Sequence, residues 1–292
     1  MQETVKVDGL HHSRMGKYPH NEIIGKPYGS RIQSHEGKKS VYILKMTPEM
    51  WTRSLPHRTQ IIYLQDISFI SQMLDLKTGS RIIECGTGSG SFSHSLTRAI
   101  SPNGHLFTFE YHEIRAGLAK KEFEDHKLSP SLVTIQHRDV CKNGFGMGQG
   151  SELGFVDAVF LDLPAPWEAI PHAKESLNPE KFTRICCFSP CIEQVQKTCA
   201  ALRENGFIDV EMYECLSKEH SVYKYEQIRK FTLNPADYNQ HSTDGKLLTK
   251  RAKNYNCEDN SEQDGTTRLI GRPVVQIKGH TSYLTFASLL PK

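Results

Sequence analysis

The chain has 292 residues, 37% of them hydrophobic, 9% aromatic and 24% charged, a balance that excludes disordered, collagen-like and membrane-spanning classes. That length allows one large domain, or a domain with a smaller appendage. Lys and Arg number 36 against 33 Asp and Glu, and a net charge of +3 by itself argues for no nucleic-acid partner.

The opening residues, MQETVKVDGLHH, carry charge where a leader peptide would need an apolar core, and no apolar run reaches spanning length. An intracellular protein with no membrane partner is therefore expected. Residues 1–57 are rich in Gly, His and basic side chains, with a strand-like piece at Val41 to Leu44 and turn signals at Lys26-Pro27 and Tyr28-Gly29-Ser30. They are too few to bury a core of their own and form a small N-terminal β region. Its basic residues, Arg14, Lys17, Lys26, Arg31, Lys38 and Lys39, could contact phosphate.

From Arg58 the pattern changes. Ile67, Ile70 and Leu74 recur at helical spacing until Lys77-Thr78-Gly79 ends the helix. Strands are predicted at Arg81 to Cys85, His105 to Glu110, Leu132 to His137, Val156 to Asp162 and Thr183 to Ser189. Helices are predicted between them at Ser91 to Ile100, Glu113 to His126, Trp167 to Leu177 and Ile192 to Asn205. Such alternation predicts an α/β fold with a doubly wound, mainly parallel sheet covered on both faces. Two further strands, Phe207 to Leu216 and Val222 to Leu233, precede a polar stretch at about 234–279 without periodicity, read as a disordered insertion. Its Lys246, Lys250, Arg251 and Lys253 read as solvated charge at least as well as a phosphate contact. A last strand is predicted at Thr281 to Leu289.

The eight cysteines form no Cys-x-x-Cys pair, so reduced thiols serving as small core side chains are expected, and no metal site.

Open α/β sheets bind ligands at the carboxyl ends of their strands. The first strand exits through Glu84-Cys85-Gly86-Thr87-Gly88-Ser89-Gly90-Ser91, whose glycines let the backbone turn tightly and approach a ligand. On its own the loop could be an ordinary strand-to-helix turn. A dinucleotide fingerprint would want glycine where Ser91 stands, and no Gly-Lys-Ser/Thr follows for a nucleotide triphosphate. The second strand ends in Glu110, 24 positions past Gly86, where a carboxylate can accept both hydroxyls of a ribose. The third exit offers Asp139 for an exocyclic amine beside Val140 for a purine face. Together these describe a pocket for an adenosine without phosphates, and favour S-adenosylmethionine. The fourth exit, Leu161-Asp162-Leu163-Pro164-Ala165-Pro166-Trp167, is stiffened by two prolines, which suits methyl transfer because that chemistry depends on positioning.

Five ordered segments carry a resemblance: His57-Arg58-Thr59-Gln60-Ile61-Ile62-Tyr63; the glycine loop; Leu161 to Glu168; Ser189-Pro190-Cys191-Ile192-Glu193-Gln194-Val195-Gln196; and Gly279-His280-Thr281-Ser282-Tyr283-Leu284-Thr285-Phe286. From about Gly25 to the C-terminus, apart from the polar stretch, the chain resembles the catalytic subunits of eukaryotic tRNA (adenine-58-N1)-methyltransferases.

That resemblance implies a Rossmann-like, seven-stranded class I methyltransferase domain at 58–292, after a family N-terminal β domain of which residues 1–57 would be an incomplete part. It implies S-adenosylmethionine as cofactor, tRNA as substrate, no metal, and nuclear localisation. The implied partner is a non-catalytic paralogous subunit, in a heterotetramer of two catalytic and two non-catalytic chains. By matching positions, Gly86, Thr87, Gly88, Ser89, Gly90 and Ser91 would cradle the donor with Ile62; Glu110 would take the ribose, supported by Arg115; Asp139 and Val140 would hold the adenine. Asp162 would touch the donor and be the catalytic residue. Gln60, Ile61, Tyr63, Leu64, Leu161, Leu163, Pro164, Cys187, Ser189, Pro190, Cys191, Gln194 and Thr281 would line the tRNA side, with Tyr63 near the target base unless it is simply core. Two alternatives stand beside this reading. One is a non-catalytic tRNA-binding paralogue, against which the acids Glu110, Asp139 and Asp162 argue. The other is a methyltransferase of another substrate.

Overall fold

The computed structural model describes residues 4–225, 268–273 and 282–292. Strands β1 (Leu10–Ser13) and β2 (Gly16–Pro19) form one antiparallel hairpin, and β3 (Arg31–Gln33) and β4 (Ser40–Tyr42) another. Only β4 was legible, displaced by a residue or two; β3 went unread, as did β1 and β2, which carry His, Ser, Gly and Lys rather than alternating apolar residues. Helix α1 (Pro48–Ser54) also went unread, although Pro48 opens it and the Thr47 hydroxyl accepts the Met50 N–H.

The chain continues through α2 (Leu64–Met73), β5 (Arg81–Cys85), α3 (Ser91–Ile100), β6 (His105–Glu110), α4 (Glu113–Asp125), β7 (Val133–His137) and the single turn α5 (Val140–Asn143). There follow β8 (Ala158–Asp162), α6 (Pro166–Ser176), β9 (Thr183–Ser189), α7 (Ile192–Glu204), β10 (Ile208–Tyr213), β11 (His220–Tyr225), β12 (Arg268–Pro273) and β13 (Tyr283–Leu289). The central sheet has seven strands in the order β10-β13-β9-β8-β5-β6-β7. Strands β5 to β9 pair in parallel, and β13 runs antiparallel between β9 and β10.

Residues alternating along these strands feed two apolar layers. Ile83, Phe107, Val159, Leu161 and Cys187 face α6 and α7 residues such as Ala169, Ile170 and Leu202. Their neighbours Ile82, Leu106, Phe160 and Cys186 face Ile67, Ile70, Phe92, Leu96 and Phe123 of α2, α3 and α4. Burial on both faces explains why these strands read as continuous apolar runs, and each large side chain so buried contributes about 1.5–3 kcal/mol. The described cysteines are free, with Cys85, Cys186 and Cys187 packed as small core residues.

Two expectations are corrected. Residues 4–215 and 282–292 form one compact body, and 216–225 with 268–273 belong to a second. Helix α1 packs on α3, with Trp51 buried and the Thr52 and Ser91 hydroxyls 2.9 Å apart. Arg268–Pro273, inside the stretch read as insertion, is a strand paired antiparallel with β11. Its partner lies more than 40 positions away in sequence, and Gly271 and Pro273 disguise it locally. The last strand begins at Tyr283 rather than Thr281; Thr281 and the remainder of the predicted strand past Tyr225 lie outside the described residues.

Candidate active site

Strand order reverses direction at β5, whose neighbours are β6 on one side and β8 on the other. A cleft of about 570 Å³ opens there, at the carboxyl ends of β5, β6, β7 and β8. Its lining includes Gly86, Thr87, Gly88, Ser89, Ser91, Glu110, Arg115, Asp139, Val140 and Asp162, together with Gln60, Ile61, Ile62, Leu163 and Pro164. Gly90 lies just behind them as the left-handed N-cap of α3.

Two glycines are required by close approach as well as by φ. A Cβ on Gly86, at φ +95°, would lie 2.3 Å from the Asp162 carbonyl oxygen. One on Gly88, at φ +53°, would lie 2.7 Å from the Thr59 hydroxyl. The loop is thus pressed between the turn that carries Asp162 and the segment that precedes α2.

Glu110 is almost fully buried. Its Oε2 accepts the Gly88 N–H at 2.9 Å, while Oε1 accepts the His112 N–H at 2.9 Å and two donors of Arg115 at 2.7 and 3.1 Å. Arg115 therefore supports Glu110. Asp139 caps α5 by accepting the Lys142 N–H at 3.3 Å. Asp162 ends β8; burial, reinforced by the negative charge of Glu110, raises its carboxyl to about 7.

Glu84, to which the sequence reading assigned no role, lines the same cleft and is 1% exposed. Its Oε2 accepts the Ser93 hydroxyl at 2.6 Å and the Thr108 hydroxyl at 2.7 Å. Burial, above the opposing effect of those bonds, pushes its carboxyl up to about 7. An acid in the middle of an otherwise apolar buried strand was the available signal. Because the folded value exceeds the ordinary 4.5, Glu84 favours folding below that pH, and the benefit is lost as pH rises through about 7, by about 3 kcal/mol in all. Glu84→Gln should flatten this dependence. Thermal unfolding at pH 5 and pH 8 checks it: the variant's advantage over wild type should grow with pH, and a constant difference would contradict the assignment.

The residues matched to the tRNA side divide. Tyr63 is 47% exposed and caps α2 beside Ile62, so it is not core, though it does not line the cleft. Leu64 is half-buried in the first turn of α2, while Pro190 and Cys191 are exposed at the start of α7. Gln194 is a brace: its amide donates to the Pro164 carbonyl at 3.0 Å and its Oε1 accepts the Cys191 N–H at 3.1 Å. Leu161 and Cys187 are fully buried partners in the β8–β9 ladder, and Ser189 is fully buried at the end of β9. These three side chains do not reach the cleft, because the pleat that points Asp162 one way sends Leu161 the other. Thr59, Arg138 and Cys141 were not foreseen as cleft residues; strand exits and preceding segments carry no periodic signal.

A profile of the family described as tRNA methyltransferase complex GCD14 subunit matches residues 39–289. The chain is 41% identical, over 99% of its length and 91% of the relative, to a tRNA (adenine(58)-N(1))-methyltransferase catalytic subunit of Candida albicans. It is 40% identical to the protein of that description in Dictyostelium discoideum, over 99% of this chain and 91% of the relative. Among solved structures, a SAM-dependent O-methyltransferase of Thermotoga maritima superposes with a TM-score of 0.71 at 31% identity, covering 97% of this chain and 86% of the other. The tRNA (m1A58) methyltransferase TrmI of Aquifex aeolicus shares the fold, with a TM-score of 0.66 at 22% identity over 99% of this chain and 92% of the other.

Proposed function

This chain belongs to the family of GCD14 tRNA methyltransferase complex subunits, and from that premise we infer that it is a catalytic subunit transferring a methyl group from S-adenosylmethionine to N1 of adenine 58 in tRNA. The observation that carries the reading is the meeting of the glycine loop with Glu110, Asp139 and Asp162 in one cleft. Gly86 and Gly88 leave room that a Cβ would fill. Five acids, Glu84, Glu110, Asp139, Asp162 and Glu168, line the cleft beside the bases Arg115, Arg138 and Lys142.

S-adenosylmethionine, when bound, supplies an electrophilic methyl group. The chain's own residues hold and orient. Glu110, its carboxylate turned by Arg115 and two backbone N–H groups, already accepts four hydrogen bonds, three of them on Oε1, which leaves Oε2 to take a ribose hydroxyl. Asp139 and Val140 provide an acceptor and an apolar face for the donor's adenine. Adenine N1 has an in-plane lone pair, so no base is needed to unmask it; methylation instead leaves positive charge on the ring. Asp162 accepts a hydrogen bond from the exocyclic N6 amine and stabilises that charge as it develops. Two prolines and the Gln194 bond to Pro164 keep its turn stiff. Because N1 lies on the pairing edge, the nucleotide is extruded to reach the cleft; this reading assigns Tyr63, whose ring is exposed next to Ile62, to stack on it.

The reading includes tRNA and a non-catalytic paralogous subunit as partners, in a tetramer of two of each, and a nuclear setting; the family's description as a complex subunit supports the association. The test is donor titration of the purified chain, followed by labelled-methyl transfer to tRNA transcripts carrying adenine or guanine at position 58, with and without the paralogous subunit. Transfer only to the adenine transcript, and its dependence on the second subunit, are expected. Failure to bind the donor, or equal labelling of both transcripts, overturns the assignment.

A further inference from the structure

Residues 59–62 form one wall of the cleft, yet they precede the first strand of the sheet and no ladder holds them. Side chains hold them instead. The Ser89 hydroxyl accepts the N–H of Arg58 at 3.0 Å and of Thr59 at 3.2 Å. The Ser91 hydroxyl donates to the Ile62 carbonyl at 3.2 Å. From outside, the Arg58 guanidinium makes a two-pronged pair with Glu122 of α4, at 2.5 and 2.9 Å, and also donates to the Gly88 carbonyl at 3.4 Å. Both partners are mostly buried, with 15% and 20% of their side chains exposed.

Helix α4 therefore grips the donor loop twice. Arg115 holds Glu110, whose other oxygen takes the Gly88 N–H. Glu122, seven residues and two turns further along the same face, holds Arg58, which takes the Gly88 carbonyl. The N–H and the carbonyl of Gly88, in successive peptide units, are thus tied to one helix through opposite charges. Arg58 does not line the cleft.

We propose that Arg58 and Glu122 are positioning residues that set donor affinity by clamping residues 58–62 and the Gly88 peptide against α4. The proposal rests on the cleft being the donor site. A lysine cannot replace the fork, since it lacks the paired donors that engage both carboxylate oxygens and the carbonyl together.

The test uses the full chain with its partner subunit. Donor Kd is measured by calorimetry, kcat at saturating donor by methyl transfer, and folding by thermal midpoint, for Arg58→Lys, Glu122→Gln and the double variant. Each single change should raise the donor Kd on the order of tenfold, as loosened positioning away from the reacting atoms does, with kcat at saturation within about twofold. The double variant should bind no more weakly than either single, since both break one link. Unchanged Kd in folded variants overturns the proposal, as does a lowered thermal midpoint with kcat and affinity intact, which marks a purely structural pair. If Glu122→Gln does not fold, Arg58→Lys alone decides on the same readouts. A wild-type protein that binds no donor overturns the reading of the cleft itself; one that binds it as tightly as the variants overturns the clamp alone.

Discussion

Asp162→Ala should lower methyl transfer to tRNA by on the order of a thousandfold, as removal of a group aimed at developing charge does, while the donor still binds within about tenfold of wild type. Asp162→Asn, which keeps the shape but loses the charge, should fall between. The carboxyl stands at about 7 because burial and Glu110 disfavour its charged form, and the ionised form is the one that accepts the N6 hydrogen bond. Activity should therefore rise with pH through about 7 in the wild type and lose that limb in Asp162→Asn.

Stability moves the other way. A folded value above the ordinary 3.8 means that Asp162 favours folding at low pH and that this benefit disappears as pH climbs past about 7. Asp162→Ala should consequently be at least as stable as wild type at pH 8, so lost turnover cannot be put down to unfolding. Thermal midpoints measured beside single-turnover methylation decide it, and retained turnover in a folded Asp162→Ala rejects the catalytic assignment.

Gly86→Ala should abolish donor binding at any practical concentration, a loss of at least about a hundredfold, because misplacement of about 1 Å in such a site has that effect. The new Cβ would lie 2.3 Å from the Asp162 carbonyl oxygen, and both partners in that collision are backbone at the ends of adjacent strands. Either the glycine loop or the Asp162 turn must move, and both form the cleft. Gly25→Ala is the control, since Gly25 has φ +78° but open space around its Cα; it carries the same left-handed strain of about 1–2 kcal/mol without the clash. Donor titration of the two variants separates strain from collision, and comparable affinity in both would show that the loop tolerates the approach.

Much of this architecture is written locally. The runs Arg81–Cys85, His105–Glu110 and Thr183–Ser189 match their strands end to end, and Ser91–Ile100 matches its helix. Parallel strands buried on both faces must be apolar throughout, and their helices must show one apolar stripe, so period and composition are enough. The cleft residues Gly86, Glu110, Asp139 and Asp162 were equally legible, because open α/β sheets bind ligands at strand exits, and an exit is a position in sequence.

What local pattern does not encode is who meets whom. Leu161, Cys187 and Ser189 were matched to the tRNA side, yet the pleat turns their side chains into the interior. Gln194 faces the Asp162 turn and spends its amide on Pro164. Glu84 reads as one more letter before a glycine, and only the packing of α3 and β6 around it raises its carboxyl to about 7. Arg58 and Glu122 stand 64 positions apart, and only folding brings them together across the Gly88 peptide. Composition and periodicity determined the sheet, its helices and the place where a ligand would lie. Burial, the pleat and long-range side-chain pairs decided which groups are charged, which are buried and what holds the cleft in shape, because those depend on neighbours that sequence order keeps far apart.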